Sequence, residues 1–182
     1  MEDAVRQKYV SLMTNGYGDE VSVDLDKKED FKLNPDYLSK HRSFRCSKSG
    51  LKLHSEFNFL AASPDGLTSC ECCGSGILEI KTLSKYFYSG IPCPHPNDVC
   101  LDDTFALKTS HHYYTQVQFQ LLVTQAKFCD FVCSTKNELS IQRLFPDIDF
   151  ITNLRDRCVS FFKSFIVKEL LIQELHPHRP KQ

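Results

Sequence analysis

Two short stretches, Ala62-Ser63-Pro64-Asp65-Gly66-Leu67 and Gly76-Ile77-Leu78-Glu79-Ile80-Lys81, decide how this chain is read. The second is a β-rich run opened by Gly74 and Gly76, so it predicts a short strand. Side chains alternate along a strand, which puts Glu79 and Lys81 on one face and sends Ile80 into the core on the other. Ser63-Pro64-Asp65-Gly66 reads as a turn. If that turn brings Asp65 to Glu79, the two carboxylates form a hard oxygen site suited to Mg²⁺ or Mn²⁺, with the Ile80 carbonyl as a further oxygen ligand. Lys81 would then position or activate an attacking water and stabilise charge developing on a phosphate. The spacing alone is weak. An Asp beside Gly is most often a turn former, and Glu-x-Lys is most often an exposed strand face.

Working outward, the composition admits such a site. The chain has 182 residues, 41% of them hydrophobic, with 22 Lys plus Arg against 23 Asp plus Glu. That is enough for one compact domain spanning 1–182, with 175–182 as a tail, and too little for two. A net charge of -1 excludes a purely electrostatic, histone-like nucleic-acid binder. It leaves room for a nuclease, whose metal site needs carboxylates. No apolar stretch is long enough for a membrane span and the first residues carry no secretory signal.

Met1–Met13 predicts a helix, with Ala4, Val5, Tyr9 and Leu12 at three- and four-residue steps and Asn15-Gly16 as its stop. A helix starting at residue 2 with no cap before it suggests that the domain's start lies upstream. Residues 19–36 are acid-biased, while 40–52 hold Lys40, Arg42, Arg45, Lys48 and Lys52 without an acid. That basic run is either a solvated loop or a phosphate-facing patch. Alternation of Phe57, Phe59 and Ala61 predicts a first strand before the turn, and 77–81 the second. Pro92, Pro94 and Pro96 exclude a regular element over 90–104. A helix is predicted from His112 to about Gln125, strands over 128–134 and 139–145 with a turn at Lys136-Asn137, and a long amphipathic helix from Asp149 to about Glu174. The order is mixed α/β.

The two opening stretches, followed by Tyr113-Tyr114-Thr115-Gln116-Val117-Gln118, closely resemble the phage lambda exonuclease/YqaJ-type viral recombinase family of the PD-(D/E)xK nuclease superfamily. All three blocks occur in order, and the resemblance runs over essentially the whole chain. It implies a restriction-endonuclease-like core, a mixed central β-sheet flanked by helices. It also implies a metal-dependent deoxyribonuclease, most like a 5′-to-3′ exonuclease acting on duplex ends, using two Mg²⁺ or Mn²⁺ ions.

By that resemblance Asp65 and Glu79 are the metal-binding acids, Lys81 the catalytic lysine, and Gln116 the first glutamine of the Tyr-x-x-Gln-x-Gln helix, with Tyr113 packed beside it. Glu2, with Tyr9 seven residues on, matches the family's N-terminal helical acid and is the candidate additional metal ligand. Ser63, Tyr113, Arg42, Arg45 and Lys48 are the candidate DNA contacts. A homo-oligomer and a single-strand annealing recombinase partner are further expectations of the family, as is an intracellular setting, nucleus or cytoplasm. The chain departs from the family where Thr82-Leu83 replace the usual Cys-Pro after the Glu-x-Lys strand. A domesticated relative that binds without cleaving is the competing reading; intact Asp65, Glu79, Lys81 and Gln116 argue against it.

Nine cysteines without a signal peptide read as reduced thiols. Cys70, Cys72 and Cys73 crowd before the active strand, and Cys93, His95 and Cys100 follow it. Four ligands drawn from these two groups, with Cys70, Cys72, Cys73 and Cys93 the candidates, would hold a structural Zn²⁺. Free or partly buried thiols are the ordinary alternative. Cys129, Cys133 and Cys158 read as core residues, and His111-His112 as a helix cap or surface pair, with contact to a DNA phosphate as the alternative. No nucleophile-elbow Gly-x-Ser-x-Gly and no phosphate-binding Gly-rich Lys-Ser/Thr loop is present.

Overall fold

The strand that carries Glu79 and Lys81 is the longest among the described residues. In the computed structural model, which describes residues 4, 6, 7, 41–91, 94, 96–136 and 139–175, it runs over Gly74–Thr82. It lies in the middle of a five-stranded mixed sheet. In chain order the strands are β1 (Arg45–Ser47), β2 (Lys52–Leu53), β3 (Ala61–Ala62), β4 (Gly66–Cys70), β5 (Gly74–Thr82), β6 (Cys129–Ser134) and β7 (Leu139–Leu144). The large sheet has the order β1-β4-β5-β6-β7, and β2 pairs with β3 apart from it. All contacts in the large sheet are antiparallel except β5 with β6. This is the α/β class with a mixed central sheet that the sequence predicts. Among the described residues no helix is long and apolar enough to cross a membrane.

A parallel pair needs a crossover, and helix α1 (His112–Thr124) supplies it between β5 and β6. Parallel neighbours with both faces covered bury side chains of either parity, and residues 76–80 are all buried. Ile77 packs with Val117 and Leu121 of α1 and with Cys129, Phe131 and Cys133. Glu79 has the same parity as Ile77, so it too points toward α1. The Glu-x-Lys pair is therefore not an exposed strand face. Gly76 is required by close approach: a Cβ there would stand 2.2 Å from a ring carbon of Phe128.

The chain beyond β7 forms α2 (Ile148–Phe161), a π-helical turn (Phe162–Ile166) and α3 (Val167–Leu175), close to the span predicted for the last helix. Asp147 caps α2, its carboxylate accepting from the Phe150 amide at 3.1 Å. The wide apolar face expected here is only partly used. Ile151 and Cys158 pack against the smaller core of Leu60, Ala62, Leu122 and Val123, and Phe162 stacks on Phe59 at 3.9 Å. Phe161 and Phe165 are exposed.

Two expectations fail locally. The Phe57–Ala61 alternation yields a strand only at Ala61–Ala62. The His54 ring accepts the amides of Glu56 and Phe57 at 3.0 and 3.1 Å, which folds residues 54–57 into a turn. Conversely, Gly66–Cys70 is a strand, paired with β5 up to Cys70 opposite Gly74, so the cysteine knuckle is the hairpin turn between them. The break at Asn15-Gly16, the acid-biased 19–36 segment, Glu2, Tyr9, Lys40, Pro92, Cys93, His95, Asn137 and the tail beyond residue 175 lie outside the described residues.

Candidate active site

Antiparallel pairing of β4 with β5 reaches Gly66 opposite Leu78. One step beyond, the ladder is continued by a side chain: Asp65 Oδ2 accepts the Ile80 amide at 2.7 Å. The turn thus fixes the Asp65 carboxylate at the strand edge, while its carbonyl accepts from Arg6 at 2.6 Å. Asp65 Oδ1 is left without a hydrogen-bond partner among the described residues.

Glu79 is 2% exposed, and a buried carboxylate must be neutralised or hydrogen-bonded. Its partners come from two elements. Lys81, on the same strand face, places Nζ 2.5 Å from Oε1. Gln116 and Gln120, one helical turn apart on α1 and so on one face of it, donate to Oε1 at 2.6 Å and to Oε2 at 2.7 Å. Burial raises the Glu79 acid above its ordinary value, against hydrogen bonds from Lys81 and Gln120 that lower it. Burial also works to lower Lys81, but the Glu79 hydrogen bond and the charges of Glu79, Tyr113 and Asp65 outweigh it and leave Lys81 raised. Lys81 is therefore a cation here, and its ammonium lies 4.7 Å above the Tyr113 ring.

The structure brings together Asp65, Glu79, Lys81, Gln116 and Tyr113 from the predicted set. Ile80 lies between them with its side chain buried. Gln120 was missed: it reads as one more polar position beside Gln116, and the one-turn spacing of the two amides was the available signal. Gln118, the second glutamine of the Tyr-x-x-Gln-x-Gln run, serves elsewhere. It is fully buried, donates to the Phe145 carbonyl at 3.1 Å and accepts the Asp147 amide at 2.9 Å, tying α1 to the loop before α2. Ser63, Arg42, Arg45 and Lys48 are exposed. Arg45 pairs across from Ser69, toward the cysteine turn and away from the Leu78 end of the ladder. The Arg42 carbonyl accepts the Glu71 amide of that turn at 3.1 Å.

The helix that supplies both glutamines is capped by His111, whose Nδ1 accepts the Tyr113 amide at 3.2 Å. Burial, with the charges of His112 and Lys108, lowers the His111 pKa from 6.5. A depressed pKa means that the cap's contribution is fully present above pH 6.5 and is lost as pH falls through the lower folded value. Protonation removes the acceptor and sets a cation at the positive helix end. His111→Asn, a cap that does not titrate, is expected to flatten this slope, and His111→Ala to destabilise by about 1 kcal/mol at pH 8. Thermal unfolding of the three proteins between pH 5 and 8 checks both.

At the turn between β4 and β5, His41 meets Cys70, Cys72 and Cys73, their ligand atoms all within 4.8 Å of one another. Cys100 is not part of this group; it is buried against Cys133 with the sulfurs 3.5 Å apart.

With this arrangement in view, comparison with known proteins gives a family. Residues 1–127 match the YqaJ-like viral recombinase domain. The chain belongs to that family. The fold is also that of LHK-Exo, an alkaline exonuclease from Laribacter hongkongensis: its crystal structure matches at 21% identity with a TM-score of 0.51, over 75% of this chain and 65% of that one. The same enzyme in complex with dAMP matches at 20% identity and 0.51, over 72% and 62%. The uncharacterized protein R354 of Acanthamoeba polyphaga mimivirus is 29% identical over 133 residues, 68% of this chain and 23% of that protein. This YqaJ-family chain spans less than two thirds of each of these relatives.

Proposed function

We propose that this chain is a divalent-metal-dependent DNA nuclease that hydrolyses phosphodiester bonds, of the 5′-to-3′ exonuclease type. One observation carries the reading: Glu79 gathers Lys81, Gln116 and Gln120, next to an Asp65 carboxylate pinned to the following amide, in a chain of the YqaJ family. The donor set fits a hard cation, since both acids are oxygen ligands, Glu79 is buried as an acid, and Asp65 keeps an oxygen free of the described residues. Asp65 and Glu79 would hold the Mg²⁺ or Mn²⁺, with the Ile80 carbonyl and Glu2 as further candidates. When bound, such ions supply Lewis-acid stabilisation of the phosphate and a water activated for attack.

The chain's own groups do the rest. Lys81, held as a cation by Glu79, donates to the phosphate oxygens as charge builds there. Gln116, whose amide reaches the same carboxylate oxygen as Lys81, orients the water. Gln120 holds the other oxygen and so fixes the Glu79 rotamer. Tyr113 keeps the ammonium over its ring. DNA as substrate and attack from an end are supported by the family and by the dAMP-bound neighbour, a deoxynucleoside monophosphate being what end digestion of DNA releases.

End-labelled linear duplex incubated with the purified chain tests this. Release of labelled mononucleotides in Mg²⁺ and none in EDTA is the expected result, with the labelled end giving polarity. DNA binding with no release in Mg²⁺ or Mn²⁺ would replace the nuclease by a binding module.

A further inference from the structure

The turn between β4 and β5 holds a second cluster that the nuclease reading does not use. His41 Nδ1 stands 3.1 Å from Cys72 Sγ, 3.4 Å from Cys73 Sγ and 3.5 Å from Cys70 Sγ. The sulfurs of Cys70 and Cys72 are 3.4 Å apart, and those of Cys72 and Cys73 3.7 Å. An imidazole nitrogen in the ring plane makes one hydrogen bond, as donor or as acceptor. Three sulfurs at hydrogen-bond range of one nitrogen therefore exceed what hydrogen bonding can use. A tetrahedral ion does explain them: with Zn–S near 2.3 Å and Zn–N near 2.05 Å, tetrahedral edges are about 3.8 Å between sulfurs and about 3.5 Å from nitrogen to sulfur. These five spacings lie at or inside those edges, and all four ligand atoms fall within 4.8 Å of one another.

We infer that His41, Cys70, Cys72 and Cys73 form a structural Zn²⁺ site that clamps the segment before β1 to the β4–β5 turn.

Local structure supports thiolates at this point. The Cys73 amide donates to Cys70 Sγ at 3.3 Å, and Arg143 Nη1 donates to Cys73 Sγ at 3.2 Å. Gly74, with φ of 81°, takes the left-handed turn that returns the chain into β5 directly after the last ligand. His41 and Cys70 are buried while Cys72 is exposed, so the ion would have an entry path. Four ligands from the protein close the tetrahedron and leave no position for substrate, which marks the site as structural. Three thiolates and an imidazole favour zinc over the hard cations proposed at Asp65 and Glu79. The clamp has a mechanical sense. Arg42 and Ser43 already bond to Glu71 across the same junction, and the ion would fasten that junction to the turn from which β5 runs to Glu79. Among the described residues His41 completes the four-ligand set with the three cysteines of the turn; Cys93, the fourth ligand expected from the sequence, lies outside them.

The test reads metal and not cleavage, so it stands apart from the nuclease assay. The full chain, reduced and freed of metal, is titrated with Co²⁺ and then with Zn²⁺. About one equivalent should give the intense visible bands of a tetrahedral Co²⁺ thiolate site, which Zn²⁺ then bleaches. Cys72→Ser, at an exposed position, and His41→Asn should weaken Co²⁺ binding at least tenfold; Cys158→Ser should not. Circular dichroism confirms that each variant is folded. Absence of tetrahedral bands in the reduced wild type would overturn the inference, as would full retention of them in folded Cys72→Ser and His41→Asn.

Discussion

Glu79→Gln is expected to lower Mg²⁺-dependent release of nucleotides from duplex ends by about 10³-fold or more, with DNA binding in EDTA changed only a few-fold. The substitution keeps shape and removes one acceptor oxygen where three donors converge. In its place comes an NH₂ group facing Lys81, Gln116 or Gln120. In the proposed site one carboxylate sets both metal affinity and the position of the Lys81 ammonium, so the two should be lost together. Lys81→Ala should also abolish release, yet it leaves both acids able to hold a cation, so Mg²⁺-induced thermal stabilisation should survive it and vanish in Glu79→Gln. Equal stabilisation of the two variants by Mg²⁺ would mean that Glu79 is not a metal ligand.

How much of this site could be read beforehand follows from how local each relation is. Glu79 and Lys81 share a face because strand periodicity is two, and that needs no tertiary information. Asp65 reaches them through a hairpin, but the hairpin's first strand, Gly66–Cys70, hides among turn-forming and cysteine residues and shows itself only by pairing with β5. Gln116 and Gln120 are one turn apart on a helix whose position is legible, whereas the depth of Gln120 depends on α1 crossing the sheet. His41 carried no signal, since its partners lie in a turn some thirty residues away. Phe57 and Phe59 misled because alternation there competes with a nearby histidine that satisfies the backbone in a turn. Periodicity foretold β5, β6, β7 and the helices that follow β5 and β7; the polar groups that cross between them did not announce their partners.

One such crossing should dominate stability. Asp130 on β6 is fully buried and receives Arg143 of β7 at 2.8 and 2.9 Å in a two-pronged contact, with the guanidinium 3.7 Å above the Phe128 ring. Arg143→Met keeps much of the apolar stem and strips the charge, leaving a carboxylate buried without that partner. The expected cost is about 3–5 kcal/mol, or a fall of about 10 °C in Tm for a domain of this size. Adding Asp130→Asn removes the stranded charge, so the double variant should be more stable than Arg143→Met alone, with a coupling of at least about 1 kcal/mol. Asp130 pairs opposite Leu78, whose parity is opposite to that of Glu79, so the pair points away from the α1 side of the sheet. Activity per folded molecule should therefore be nearly unchanged in both variants at low temperature. Additive losses in urea unfolding would show the contact to be worth little. A drop in activity at full folding would show instead that the Asp130–Arg143 pair positions β5.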